Sequence, residues 1–194
     1  MKKILIVGLG NIGLDYVNTR HNIGFKILDA FSYSKNIDFN EVKYGQMAET
    51  SIKGKKVYLL KPSTFMNLSG KALRYWLEAK KIELNNTLII TDDIHLDFGT
   101  FRIKPKGSHG GHNGLKNIES LLNTSKYPRF RFGVGNEFSK GRQVDYVLGT
   151  WSEDQQSILK SLLKEAISAI ETFVFQGIDT AMNQHNGKQQ TGQN

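Results

Sequence analysis

The stretch KILIVGLGNIG, residues 3–13, decides the fold of this chain. Its first half contains an unbroken apolar run at residues 4–7, and its second half is a loop with three glycines. A short apolar run that ends at glycine is typical of a strand buried on both faces of a sheet. We therefore expect residues 3–7 to form a buried strand near the middle of the fold.

Downstream of this strand, the patterns of strands and helices alternate along the chain. In chain order we predict a helix at 24–31, strands at 46–52 and 56–60, a helix at 69–80, strands at 87–90 and 101–103, a helix at 115–122, a strand at 130–134 and a long helix at 153–175. This alternation predicts a single α/β domain over residues 1–182. Residues 183–194 are almost entirely polar, so we expect them to form a disordered tail.

The charge of the chain is concentrated in one region. The formal net charge is +8, and residues 102–142 hold nine Lys or Arg but only two acids. A concentrated basic surface favours a polyanionic partner, because phosphate contacts release counterions. The absence of cysteine excludes disulfides and thiolate nucleophiles. No apolar run approaches the length of about 18 residues that spans a membrane, and we expect a cytoplasmic protein.

The glycine loop matches the G-x-G-x-x-G pattern of dinucleotide-binding folds, at Gly8, Gly10 and Gly13. A nucleotide-dependent oxidoreductase is therefore an alternative function. In those folds a helix begins inside the loop and an acid follows about 20 residues later. Residues 14–22, LDYVNTRHN, are a poor helix start, and no such acid follows. We expect these glycines to let the backbone turn sharply and approach a substrate.

Five polar clusters lie where strands are predicted to end or in the loops between elements. They are Asn11, Tyr16 with residues 19–22, residues 65–67, Asp92 with Asp93, and residues 107–114. The ends of strands are where open α/β sheets place their sites. The asparagine side chains can donate and accept hydrogen bonds, which suits binding a peptide backbone or holding a water and an oxyanion.

His21 is the candidate general base, because an imidazole with a pKa of about 6.5 can accept a proton at cellular pH. A carboxylate on its other ring nitrogen would fix the tautomer. A metal site could use His109 and His112 with His21 and Asp92. Those two histidines lie in a glycine loop without a third ligand at a characteristic spacing, so we expect no metal. The G-x-S-x-G motif of serine hydrolases is absent from the sequence.

Taken together, these clusters resemble the bacterial-type peptidyl-tRNA hydrolase family. Seven stretches carry the resemblance in the order typical of the family, and they span most of the chain as far as about residue 150. They are VGLGN at 7–11, Tyr16 with TRHN at 19–22, KPSTFMNLSGK at 61–71, DD at 92–93, GGHNGL at 110–115, RFRFGVG at 129–135 and YVLG at 146–149.

The resemblance implies one α/β domain with a central mixed sheet flanked by helices, and hydrolysis of peptidyl-tRNA without cofactor or metal. We expect the protein to be a monomer. The resemblance also implies that His21 activates water, that Asp92 keeps His21 basic, and that Asn11 separates blocked peptidyl-tRNA from free aminoacyl-tRNA. The remaining positions contact the substrate. Tyr16, Phe65, Asn67 and Asn113 match those at the tRNA 3′ end, and Lys104 and Arg131 match a clamp for the 5′ phosphate.

The chain departs from the family pattern at three places: Ile12 replaces a usual proline, His95 often has aspartate in its place, and Asn136-Glu137 replaces a basic-proline pair. We expect His95 to be exposed or outside the first layer of the site. A non-catalytic RNA-binding module is a third function to consider. It would leave His21 and Asp92 unexplained, and RNA modules commonly use exposed aromatic residues. Phe65 is the one aromatic residue that we expect at a functional surface.

Overall fold

The computed structural model describes residues 1–187. The strands are β1 (Lys3–Gly8), β2 (Asn40–Val42), β3 (Gly45–Ile52), β4 (Lys55–Pro62), β5 (Thr87–Asp93), β6 (Phe101–Lys104) and β7 (Arg129–Gly133). The α-helices are α1 (Ile23–Lys35), α2 (Ser69–Lys80), α3 (Asn113–Leu122), α4 (Gln143–Val147), α5 (Glu153–Gln176) and α6 (Ile178–His185). Short 3₁₀ turns at Leu14–Tyr16, Arg20–Asn22 and Met66–Leu68 carry several of the polar clusters.

The strands form one mixed sheet in the order β2-β3-β4-β1-β5-β7-β6. The four inner strands β4, β1, β5 and β7 are parallel, whereas β2, β3 and β6 pair antiparallel with their neighbours. Strand β1 lies in the middle, and Gly8 at its end is in register with Ile90 of β5. The predicted single α/β domain with a central mixed sheet is confirmed.

Helices cover both faces of the sheet, and alternate residues of β1 point into two separate cores. Ile4 and Ile6 face a core that α1 and α5 close, whereas Leu5 and Val7 face a second core that α2 and α3 close. All four side chains are at most 2% exposed. Burial on both faces explains why β1 is apolar without alternation.

The glycines of the first loop allow helix α1 to approach β1 closely. A Cβ added at Gly8 would lie 2.3 Å from the carbonyl oxygen of Gly24, and one at Gly10 would lie 2.7 Å from the ring of Phe25. The expectation that these glycines approach a substrate is therefore wrong for Gly8 and Gly10, because α1 occupies that space. Helix α1 begins only at Ile23, so no helix N-terminus lies inside the loop as dinucleotide binding requires.

The C-terminal segment is ordered beyond the predicted boundary at Asn183. Helix α6 continues to His185, which is buried and lies 3.0 Å from the Thr172 hydroxyl through its Nε2. The Asn186 side chain then accepts from the Ile103 amide at 2.6 Å and donates to the Ile103 carbonyl at 2.9 Å. Disorder from Asn183 is therefore wrong for these residues, because polar side chains complete the edge of β6. Residues 188–194 of the predicted tail lie outside the described residues.

Among residues 1–187, no helix is long and apolar enough to cross a lipid bilayer.

Candidate active site

The polar clusters converge on one pocket of about 740 Å³, around the carboxyl ends of β1 and β5. Tyr16 is the one predicted site residue that does not line it. Tyr16 lies half-buried in the Leu14–Tyr16 turn, and its carbonyl accepts from the Thr19 hydroxyl at 2.8 Å. The predicted residues that do line the pocket are Asn11, His21, Phe65, Asn67, Asp92, Lys104, Asn113 and Arg131.

His21 and Asp92 form a buried pair on the floor of the pocket. Strand β5 ends with Asp92 and Asp93, of which Asp92 is 3% exposed, and the Arg20–Asn22 turn places His21 beside it. The His21 Nδ1 lies 2.9 Å from both carboxylate oxygens and donates its proton to them. Its Nε2 has no hydrogen bond to any described residue, so this nitrogen carries the free lone pair.

Two opposing effects determine the pKa values of this pair. Burial acts to lower the pKa of His21, but the charge and hydrogen bond of Asp92 outweigh it and raise that pKa above its ordinary value of 6.5. Burial acts to raise the pKa of Asp92, but His21 and His112 together hold it far below its usual range. Asp92 is therefore a carboxylate at neutral pH, and His21 Nε2 is a stronger base than an ordinary imidazole.

His112 is a second hydrogen-bond partner of Asp92, whereas the sequence interpretation considered it only as a possible metal ligand. Its Nδ1 accepts from the backbone N–H groups of Gly114 at 3.1 Å and Leu115 at 3.3 Å, and so caps the N-terminus of α3. Because this nitrogen is an acceptor, the ring proton of neutral His112 is on Nε2. That nitrogen lies 2.8 Å from Asp92 Oδ1 and 2.7 Å from the Thr91 hydroxyl.

The same geometry disfavours a metal at this cluster. His21, Asp92 and His112 each offer one ligand atom, and these atoms lie within 4.8 Å of one another. A metal on His112 Nε2 would have to displace the ring proton while Nδ1 still accepts from the N–H groups at the start of α3. The ring would then be an imidazolate, or α3 would lose its cap. The residues therefore fit a hydrogen-bonded network better than a metal centre.

Asn11 is held so that it presents a donor to the pocket. Its Oδ1 accepts from the Met66 amide at 2.7 Å, which leaves the Nδ2 group without a partner among residues 1–187. Its backbone N–H and carbonyl are both bound by the Asn22 side chain, at 2.9 and 2.8 Å. The sequence interpretation placed Asn22 in a polar cluster without giving it a role. A side chain that pairs with a backbone 11 residues away leaves no sequence pattern.

The side chains of Phe65, Asn67 and Asn113 are exposed at the pocket, as predicted for residues that contact a substrate. Phe65 has φ 58° and ψ 159°, a conformation that is almost confined to glycine, and its side chain is 48% exposed. This strained residue lies directly before the Met66–Leu68 turn, where its carbonyl accepts from the Leu68 amide at 3.1 Å. Asn67 lies in the Met66–Leu68 turn, and Asn113 is the first residue of α3. Their side-chain amides make no hydrogen bond to the described residues.

The comparison with known proteins identifies the family. The peptidyl-tRNA hydrolase family model matches residues 5–193. The peptidyl-tRNA hydrolase of Bacteroides fragilis is 51% identical over 186 residues, which cover 96% of this chain and all of that protein. That of Cytophaga hutchinsonii is 50% identical, over 96% of this chain and 99% of that protein.

This chain belongs to the peptidyl-tRNA hydrolase family. A crystal structure of the Acinetobacter baumannii peptidyl-tRNA hydrolase superposes with a TM-score of 0.90 at 34% identity, and covers 96% of this chain and 95% of that one. The resemblance drawn from the sequence motifs is thus confirmed, and the family is one of hydrolases. A nucleotide-dependent oxidoreductase and a non-catalytic RNA-binding module are not favoured.

The cations of this family member do not all face solvent. Lys104 is exposed, and Arg131 is partly exposed and paired with Asp93 through its Nε. Arg129, by contrast, is only 1% exposed and donates to the carbonyls of Ser108 and Ser125 at 3.0 Å. The expectation that the cations of residues 102–142 form a basic surface is wrong for Arg129, because its buried side chain joins the loop at Ser108 to the segment before β7. His95 is exposed, as predicted.

Proposed function

We propose that this chain hydrolyses the ester bond that joins an N-blocked peptide to the 3′ end of tRNA, and so releases free tRNA and peptide. The observation that carries the proposal is the His21–Asp92 pair with its unoccupied Nε2 at the floor of a pocket, in a chain of the peptidyl-tRNA hydrolase family. This activity would recycle peptidyl-tRNA that leaves the ribosome early. We expect a cytoplasmic monomer.

The proposed reaction uses His21 first as a base and then as an acid. Neutral His21 takes a proton from water through Nε2, and the resulting hydroxide attacks the ester carbonyl carbon. Asp92 stabilises the imidazolium that forms, because its carboxylate contacts Nδ1–H at 2.9 Å. When the tetrahedral intermediate collapses, the C–O bond to the ribose breaks, and the 3′ oxygen takes the proton from His21. A positioned general base of this kind accelerates reactions by about 10²–10⁴-fold.

The amide groups around His21 suit the other demands of the reaction. We assign the oxyanion to the donors of Asn67 and Asn113, since both amides are exposed in the pocket and unpaired among the described residues. We assign Asn11 to the peptide. Its Nδ2 can donate to the amide carbonyl that only a blocked substrate carries, whereas a free α-ammonium would bring one donor against another.

The remaining predicted residues are assigned to the tRNA. Phe65 offers an exposed ring to the terminal base, and Tyr16 is assigned to the 3′ end although it lies beyond the pocket lining. Lys104 and Arg131 are assigned to the 5′ phosphate. The Asp93 carboxylate on Arg131 Nε leaves the two terminal nitrogens of the guanidinium for a phosphate.

The test is deacylation of N-acetyl-aminoacyl-tRNA beside the same aminoacyl-tRNA with a free amine. Wild type is expected to cleave only the blocked substrate, and His21→Ala is expected to lose at least about a hundredfold in kcat. His95→Ala is the matched control, because His95 is an exposed histidine of the same pocket that makes no contact with Asp92. Binding of tRNA without cleavage by wild type would instead support the RNA-binding module, and a response to NADH would support the oxidoreductase.

A further inference from the structure

A second cationic surface lies on the other side of the pocket from Lys104. It consists of Lys43 and Tyr44 in the turn between β2 and β3, and of Lys71, Arg74 and Tyr75 on helix α2. We call it the α2 surface. None of its residues lies in the basic segment at 102–142, and none lines the pocket of His21.

Stacking on tyrosine rings orders the lysines of the α2 surface. The Lys43 ammonium lies 4.7 Å from the centre of the Tyr75 ring, and the Lys71 ammonium lies 4.9 Å from the centre of the Tyr44 ring. The two rings meet edge to face at 5.4 Å. Trp76 Nε1 also donates to the Lys43 carbonyl at 2.8 Å, which fixes the turn. Cations held in this way lose less side-chain entropy when they bind an anion.

The cations of the α2 surface have no carboxylate partner. No acidic oxygen of residues 1–187 lies within 4.0 Å of the charged groups of Lys43, Lys71 or Arg74, and Glu78, one turn after Arg74, makes no ion pair with it. All three cations are exposed. Nearby lysines behave differently, because Lys56 and Lys80 both pair with Glu49. The α2 surface therefore carries three positive charges that remain available to an external anion.

The α2 surface is continuous with the rim of the active-site pocket. The Ser63 amide donates to the Tyr44 carbonyl at 2.9 Å, and Ser63 is two residues before Phe65. Helix α2 begins immediately after the Met66–Leu68 turn that carries Asn67. Strand β6 is the fifth strand along the sheet from β3, and at about 4.8 Å between neighbouring strands the two lie about 24 Å apart. One phosphate therefore cannot contact both the α2 surface and Lys104.

We infer that the α2 surface binds the sugar-phosphate backbone of the tRNA substrate, at a segment different from the one assigned to Lys104 and Arg131. This inference rests on the proposed function. RNA fits the α2 surface for two reasons. The cations of this surface are unpaired and spread over the β2–β3 turn and helix α2, and they lie next to the pocket proposed to take the 3′ end. Each phosphate contact of a cation adds about 0.7–0.9 to the slope of log binding constant against log salt concentration.

The test replaces Lys43, Lys71 and Arg74 together by Gln and compares two substrates. With N-acetyl-aminoacyl-tRNA, KM is expected to rise by about tenfold or more and the salt slope of tRNA binding to fall by about 2. With N-acetyl-aminoacyl-adenosine, which is too short to reach the α2 surface, KM and kcat are expected to stay at wild-type values. Binding of tRNA is measured separately by fluorescence anisotropy, so it does not depend on turnover.

Two controls separate this inference from effects of folding or net charge. A variant with Lys43→Arg, Lys71→Arg and Arg74→Lys keeps the three charges and is expected to bind like wild type. A variant with Lys2→Gln, Lys160→Gln and Lys164→Gln removes three exposed lysines elsewhere and is expected to keep the slope. An unchanged slope in the first Gln variant, or an equal fall in this control, would overturn the inference.

A wild type that cleaves neither substrate would refute the proposed function, and the binding measurement would still test the α2 surface.

Discussion

At the scale of single residues, Asp92 is the acceptor for two histidines at once. His21 donates to it through Nδ1 and His112 through Nε2, at 2.9 and 2.8 Å. Donation to Asp92 places the proton of His21 on Nδ1. The proton of His112 is on Nε2, because its Nδ1 accepts from the Gly114 amide at the N-terminus of α3. The carboxylate therefore sets both the orientation and the basicity of His21.

Asp92→Asn is expected to move the pH profile as well as to lower the rate. In the proposed mechanism His21 must be unprotonated, so kcat/KM should rise with pH through the pKa of His21, which Asp92 raises above 6.5. Without the Asp92 charge, the pKa of His21 should fall, and the midpoint of the rise in kcat/KM should move to lower pH. The plateau should drop about a hundredfold or more, because asparagine offers one acceptor oxygen to two donors. Asp97→Asn, at an exposed residue, is the control. An unchanged midpoint would show that Asp92 does not set this pKa.

Two substitutions of His112 should separate its structural role from its role at Asp92. His112→Ala removes the cap of α3, which is expected to cost about 1–2 kcal/mol of the free energy of unfolding. Asparagine is a good N-cap residue, so His112→Asn should recover most of that stability, but its shorter side chain cannot reach Asp92. We therefore expect His112→Asn to unfold near the wild-type temperature with kcat still reduced. If His112→Asn recovered both the unfolding temperature and kcat, the contact with Asp92 would be dispensable.

The sequence allowed His21 and Asp92 to be paired, but only through the resemblance to the family. The hydrogen bonds from His112 to Asp92 and from Asn22 to the Asn11 backbone were not predicted, because they join positions that are 20 and 11 residues apart. The predicted start of α3 at residue 115 also hid the capping position of His112. Arg129 was counted as a surface charge, since composition cannot show which arginine the fold encloses.

At the scale of elements, the long periodic segments and most of the strands were predicted, whereas three short elements were not. Helix α2 was predicted at 69–80 and spans the same residues, because its apolar stripe faces a core. Strand β5 extends three residues beyond its predicted end, since Asp92 and Asp93 pair with β7. The prediction omitted β2, α4 and α6, which have three to eight residues and depend on neighbouring elements for stability.

The contact between α1 and β1 leaves no room for a side chain at Gly24. A Cβ there would lie 2.5 Å from both the amide nitrogen and the carbonyl oxygen of Leu9, which are backbone atoms that cannot turn aside. Gly24→Ala is therefore expected to lower the free energy of unfolding by about 2–3 kcal/mol, measured by urea denaturation. Gly54→Ala is the control, because it tests whether replacing any glycine by alanine lowers the free energy of unfolding by the same amount. Its Cβ would meet no atom within 4 Å, so only its positive φ should cost about 1 kcal/mol. Equal losses would contradict this explanation.

At the scale of the whole molecule, the order of the strands places the chemistry. Inner strands β1 and β5 are neighbours, so clusters about 80 residues apart in sequence meet at one end of the sheet. Exposed cations lie toward both edges of the sheet, with Lys104 on β6 and Lys43 in the turn after β2. A central base between two cationic edges suits the proposed substrate, a long polyanion with one reactive end.

The edge at β6 is completed by the C-terminal segment, so the point at which the chain is truncated should matter. A chain that ends at Met182 loses His185 beside Thr172 and both hydrogen bonds between Asn186 and Ile103. We expect it to lose about 2–3 kcal/mol of unfolding free energy, because the loss of these contacts leaves backbone groups of an edge strand unpaired. KM for tRNA should also rise, since Lys104 follows Ile103 directly. A chain that ends at Gly187 keeps these contacts and is the control. If both chains unfold at the same urea concentration, the segment contributes nothing to this edge.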